Sequence, residues 1–137
     1  MIKILYITPF FNYPPRDGAS LRSIRLFEKL YETNCIDVFT YNNDSINSKV
    51  LEKFTNCNFY YFSSNHEKPK PLTFFNRLFS KKLPGFSSHD PQSIAKDINE
   101  LISENGGYDI YYFATQLMGQ AFIFKKQPGT FVIDLYD

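Results

Sequence analysis

Ile2-Lys3-Ile4-Leu5-Tyr6-Ile7-Thr8-Pro9 decides the fold, together with the loop and helix that follow it. The segment is short, apolar and rich in β-branched residues, and it ends at a proline, so it predicts a buried strand over Ile2 to Thr8. Phe10 to Ala19 is rich in Pro, Asn and Gly and predicts a loop. Beyond it, Leu21, Ile24, Phe27 and Leu30/Tyr31 recur at helical spacing, with Arg22, Arg25 and Lys29 on the other face. A helix over Ser20 to Glu32 is expected. Ser20 is its expected cap, because a serine hydroxyl can accept from a free first-turn N–H.

The alternation continues outward from this unit. Further strands are expected at Asp37 to Tyr41, Asn58 to Phe62, Asp109 to Phe113 and Thr130 to Asp134. Asn42-Asn43-Asp44 reads as a turn and Ser63 to Pro71 as a polar loop. Helices are expected at Ser45 to Phe54, Leu72 to Leu83, Pro91 to Glu104 and Gln116 to Lys126. Pro84-Gly85 stops the second of these, and Gly106-Gly107 ends the third by permitting positive φ. Asp90 stands at that third helix's cap, and Pro91 at a first position where a missing N–H costs little.

Strands alternating with helices imply a parallel sheet with right-handed crossovers. Strands that are apolar throughout are those of a sheet covered on both sides. The expected fold is therefore α/β: one Rossmann-like open parallel sheet, helices on both faces, strand order 3-2-1-4-5, over residues 1–137. In such sheets ligands bind at the carboxyl ends of the strands, beside the switch point between the first and fourth. The loops after Ile7, Phe113 and Asp134 should converge there.

Composition bounds the function. Of 137 residues, 43% are hydrophobic and 21% charged, enough apolar material for a core. Fifteen basic against fourteen acidic residues leave a net charge of +1, which makes no electrostatic case for a nucleic-acid partner. The ten Tyr and fifteen Phe fall largely in strands and read as core. Two cysteines, Cys35 and Cys57, are too few for a disulfide scaffold and lack zinc-ligand spacing. They read as reduced thiols in a cytoplasmic setting. No apolar run reaches the roughly 20 residues that span a bilayer, and the start lacks the pattern of a signal peptide.

Several motifs are open to two readings. There is no G-x-G-x-x-G, Walker A or G-x-S-x-G motif, which argues against a dinucleotide site, a P-loop and a serine hydrolase of that type. A response-regulator reading fails because the first strand ends in Thr8-Pro9, where clustered acids would be needed. Gly18 beside a helix start would let a phosphate approach free N–H groups, or it is a turn glycine. Arg22 and Arg25 either assist that phosphate or form a solvated face. Between Lys68 and Phe86, five basic residues stand among Leu72, Phe74, Phe75, Leu78, Phe79 and Phe86. Leu72 to Phe86 either packs onto the sheet or lies at an anionic membrane surface. Asp134 and Asp137 do not suffice for a metal site, since hard cations need more oxygen ligands. His66 and His89 stand alone in polar loops.

Ile4-Leu5-Tyr6-Ile7-Thr8-Pro9-Phe10 and Tyr13-Pro14-Pro15-Arg16-Asp17-Gly18-Ala19-Ser20-Leu21-Arg22-Ser23 together resemble the N-terminus of retaining, GT-B-fold glycosyltransferases of glycosyltransferase family 4. Members begin with an apolar strand, a Pro-rich loop, a Gly-Gly pair and a helix carrying Arg. Asp109-Ile110 and Val132-Ile133-Asp134-Leu135-Tyr136-Asp137 are similar to later landmarks of that N-terminal domain. The resemblance implies transfer of a sugar from a nucleotide-sugar to a glycan or lipid-linked acceptor, without a required metal or other cofactor. The N-terminal domain would hold the acceptor, and an absent C-terminal domain the nucleotide-sugar.

The resemblance implies substrate-binding roles for Asp17, Gly18, Ala19, Ser20 and Arg22, with Gly18 and its neighbours near the donor phosphate. Ala19 stands where the usual second Gly would be. Relatives carry His at the end of the fourth strand; Tyr111-Tyr112-Phe113-Ala114 has none, so no catalytic residue is assigned. By the strand-end rule Thr115 and Gln116 offer polar groups there, and Asp134 and Asp137 either line the cleft or are solvated residues at the strand end. Tyr13 and Phe11 are candidates for stacking on an acceptor. On this reading the chain is a truncated acceptor-side domain, inactive alone, cytoplasmic and peripheral at the inner face of the membrane through Leu72 to Phe86. The competing reading is a non-enzymatic Rossmann-like binding module complete in itself. A reading frame that continues into a second α/β domain with paired Glu separates the two.

Overall fold

A computed structural model of the chain describes residues 1–41, 46–62, 91–115, 119 and 128–134. In chain order its elements are β1 (Lys3–Ile7), α1 (Gly18–Tyr31), β2 (Cys35–Thr40), α2 (Ser48–Lys53), β3 (Phe59–Tyr61), α3 (Pro91–Asn105), β4 (Ile110–Phe113) and β5 (Thr130–Ile133). The strands form one open, all-parallel sheet in the order β3-β2-β1-β4-β5. This is the expected α/β, Rossmann-like arrangement. The expected helices at Leu72 to Leu83 and over most of Gln116 to Lys126 lie outside the described residues. So do Asn42 to Asp44, Ser63 to Pro71, Pro84-Gly85 and Asp90. Gly119 is described, and its N–H donates to the Thr115 carbonyl at 3.0 Å.

Period-two alternation along the central strands sorts side chains into two layers. Ile4 and Tyr6 of β1, with Ile36 and Val38 of β2, pack under α1 and α2 against Ile24, Phe27, Val50 and Phe54. Leu5 and Ile7, with Phe39, Tyr111 and Phe113, pack on the other face against Ile94, Ala95, Ile98, Leu101 and Ile102 of α3. Each such aliphatic side chain contributes about 1.5–3 kcal/mol by leaving water. The first layer is aromatic at its centre: Phe27 meets Tyr6, Phe11 and Phe54 edge-on, with centroids 5.0–5.4 Å apart.

Several boundaries differ from expectation, each for a local reason. Helix α1 starts two residues early because Asp17, not Ser20, is its cap. The Asp17 carboxylate accepts from the Ser20 N–H at 2.7 Å, and the Ser20 hydroxyl oxygen accepts from the Asp17 N–H at 3.1 Å. This reciprocal box makes Ser20 the third helical residue. Strand β2 begins at Cys35 because its N–H donates to the Ile2 carbonyl at 3.0 Å. Helix α2 ends at Lys53 because Phe54 leaves helical backbone angles (φ −113, ψ 59). Strand β4 starts at Ile110; Asp109 instead receives the Lys3 N–H on its carboxylate at 2.8 Å.

The entry to β5 requires a glycine that the sequence reading did not single out. Gly129 has φ +145, and a Cβ there would lie 2.6 Å from the Tyr111 ring and 3.1 Å from the Tyr108 carbonyl oxygen. Both the backbone angle and the space exclude a side chain.

The cysteines sit in unlike surroundings. Cys35 is exposed and Cys57 buried, and neither is in a disulfide. Burial, with the Asp37 carboxylate adding, pushes the Cys57 thiol up to about 12. Cys57 thus stays a thiol at neutral pH. Iodoacetamide followed by mass spectrometry should therefore label Cys35 in the native protein and Cys57 only after denaturation. Equal labelling of both in the native state would contradict this packing.

Candidate functional site

The sheet order puts the switch point between β1 and β4, at whose carboxyl ends Thr8 and Ala114 continue the chain. Thr8 is buried, and its hydroxyl donates to the Phe10 carbonyl at 3.0 Å. That bond turns the loop sharply, leaving the Phe10 side chain 58% exposed while Phe11 is 1% exposed. Phe11 packs edge-on against Phe27, Phe54 and Phe59. The expectation that Phe11 stacks on an acceptor is thus corrected: two successive residues of the loop face opposite ways, and Phe11 faces the core.

Tyr13 is partly buried. Its ring meets Phe54 edge-on at 5.6 Å, and the Lys53 ammonium lies 4.5 Å from its centroid. Lys53 also donates to the Tyr13 hydroxyl and, at 2.6 Å, to Glu28. This cluster ties the β1–α1 loop to both helices on that face, and a sugar stacking on the ring would compete with the Lys53 cation.

Asp17, Gly18 and Ala19 are exposed at the start of α1, with Ser20 half-buried beside them. Gly18 has no positive φ, and a Cβ would meet nothing within 4 Å, so neither strain nor space demands glycine. The first-turn N–H of Ser20 is already taken by the Asp17 carboxylate. Backbone and then side-chain hydrogen bonds from Ser20 hold that carboxyl below its ordinary value. A depressed carboxyl adds stability that is fully present above its ordinary range and is lost as pH falls through the lowered value. Thermal melts should therefore show the wild type above Asp17→Asn at neutral pH, with the gap closing in acid. A gap that stays constant would mean that the charge plays no part in the cap.

The chemistry gathers one turn along α1. The Arg22 guanidinium donates to the Asp134 carboxylate, Nη2 to Oδ1 at 3.2 Å, with side chains 58% and 19% exposed. Tyr112 of β4 donates from its hydroxyl to Asp134 Oδ2 at 2.9 Å. Tyr112 lies across from Tyr6 in the β1–β4 register and stacks on it, 5.2 Å apart and 7° from parallel. Tyr6 and Ser23 share a hydrogen bond of 2.6 Å. Burial pushes the Tyr6 phenol up to about 12. Burial first, then the bond to Asp134, raises that of Tyr112 still further. Both phenols stay protonated at neutral pH.

So the structure joins Arg22 of α1 to the end of β5 through a residue, Asp134, that sequence reading placed near the cleft without a partner. Tyr112 was missed as a polar group. Its signal, a tyrosine opposite Tyr6, exists only once the strand order is known. Thr115 is half-buried beyond β4, and its carbonyl accepts from Gly119. Gln116, Asp137, His66, His89 and the Leu72 to Phe86 segment lie outside the described residues. Among the described residues no three His, Cys, Asp or Glu side chains are grouped to hold a metal, and no helix is long and apolar enough to cross a membrane.

Fold and site together define a Rossmann-like open-sheet α/β protein with a hydrogen-bonded ion pair beside its switch point. No family model, no curated protein and no solved structure matches the chain.

Proposed function

We propose that this chain is the acceptor-binding, N-terminal Rossmann-like part of a retaining glycosyltransferase. Such an enzyme moves a sugar from a nucleotide-sugar to a glycan or lipid-linked acceptor. The observation that carries the reading is the Arg22–Asp134–Tyr112 cluster, contributed by α1, the end of β5 and β4. It stands at the end of an open α/β sheet where ligands bind. The opening strand, Pro-rich loop and Arg-bearing helix resemble the family in the same order. Hydrogen-bonding side chains on three rigid elements suit recognition of a hydroxylated acceptor.

In this reading a second Rossmann-like domain holds the nucleotide-sugar, and transfer takes place in the cleft between the two. The enzyme works on the cytoplasmic side, with Leu72 to Phe86 as the segment for peripheral contact with the membrane. The complete product of the gene should transfer sugar to a glycan or lipid-linked acceptor when offered a panel of nucleotide-sugars. The product should keep the donor's anomeric configuration. If no donor–acceptor pair supports transfer while the chain binds a small metabolite at this sheet end, the free-standing binding module is the better description.

A further inference from the structure

Resting on the acceptor-side reading, we infer that the Arg22–Asp134–Tyr112 cluster recognises the uncharged hydroxyls of a sugar-like ligand and discriminates against a phosphate at the same place. The first ground is charge. One guanidinium and one carboxylate 3.2 Å apart cancel at close range, so the cluster presents dipoles rather than net positive charge. A phosphate drawn to Arg22 would also meet the Asp134 carboxylate, and like charges so close disfavour one another.

The second ground is hydrogen-bond type. A hydroxyl both donates and accepts, and the cluster holds both complements: carboxylate oxygens on Asp134 and guanidinium donors on Arg22, while the Tyr112 hydroxyl, whose one proton goes to Asp134, offers an acceptor oxygen. A phosphate at neutral pH is chiefly an acceptor and could not use Asp134. Arg22 Nη2 reaches Oδ1 at 3.2 Å and, at 3.5 Å, Oδ2, which also receives the Tyr112 hydroxyl at 2.9 Å, so the carboxylate is held from both sides. The raised phenol of Tyr112 keeps its proton as a donor.

The third ground is the neighbouring helix start. Its positive dipole end is answered by the chain's own Asp17 carboxylate, 2.7 Å from the Ser20 nitrogen. The feature that would have drawn a phosphate to this loop is already satisfied from within. Arg25, exposed and one turn further along α1, is a cation outside the cluster.

The test is an NMR titration of the isotopically labelled 137-residue chain. The probes are the methyl glycosides of glucose, galactose and mannose, the matching hexose phosphates, and inorganic pyrophosphate. At least one neutral glycoside should perturb the Arg22 Nε–H, Tyr112 and Asp134 signals more strongly than its phosphate does. Asp134→Asn should weaken that glycoside by about tenfold or more and strengthen pyrophosphate several-fold, since it removes the carboxylate that repels an anion at this place. Tyr112→Phe, which keeps the ring stack, should weaken the glycoside without strengthening pyrophosphate, and Arg25→Gln should change neither. Tighter binding of a hexose phosphate or pyrophosphate by the wild type at these signals overturns the inference and leaves the acceptor reading standing. If no saccharide, neutral or phosphorylated, perturbs the carboxyl end of the sheet, both fall.

Discussion

Phe27→Ala should destabilise the protein by about 3–5 kcal/mol, the cost of truncating a buried aromatic and leaving a cavity. Phe27 is 0% exposed. It contacts rings from four places: Tyr6 on β1, Phe11 in the following loop, Tyr31 on its own helix and Phe54 at the end of α2. These rings surround it edge-on or stacked and cannot close on the void without leaving their own packing. Domains of this size are commonly stable by only about 5–15 kcal/mol, so one substitution removes a large share. Urea unfolding followed by circular dichroism measures it, with Phe27→Leu as the milder comparison. A loss below about 1 kcal/mol would mean that the cluster is far more plastic than this geometry allows.

Asp37→Ala should cost about 3 kcal/mol by a different mechanism. Asp37 is nearly buried in β2, and its carboxylate accepts from the Tyr108 hydroxyl at 2.8 Å, the Asn58 amide side chain at 2.9 Å and the Asn58 N–H at 3.3 Å. Removing it strands donors from the segments that lead into β3 and β4. Tyr108→Phe removes only one donor and should cost about 1 kcal/mol. The double variant should cost less than the sum, because the second change no longer leaves a buried group unpaired. Strict additivity in urea unfolding would show that the two side chains do not meet. The network lies at the amino ends of β3 and β4, away from Arg22 and Asp134, so ligand shifts at the cluster should survive both changes in folded protein.

The class of fold was legible in the sequence because its signals are local. Strand lengths, helical spacing in α1 and α3 and the glycines after α3 are each read within one segment. Gly106, at φ +80, behaves as a helix terminator should. Errors came where two local signals competed. Ser20 and Asp17 are both good caps, and only the reciprocal pair of hydrogen bonds decides between them. Phe10 and Phe11 are the same residue type side by side, and only the Thr8 hydroxyl bond and the ring cluster say which one is core.

By itself, then, the sequence determined an open parallel α/β sheet, because periodicity and strand–helix alternation are properties of neighbouring residues. The tertiary structure alone decided the candidate site. Arg22 and Asp134 are 112 positions apart, and they meet because β4 and β5 are laid beside β1 on the side away from β2. Hydrogen bonds of about 3 Å between distant segments depend on register and on the direction of each side chain. No local pattern encodes either.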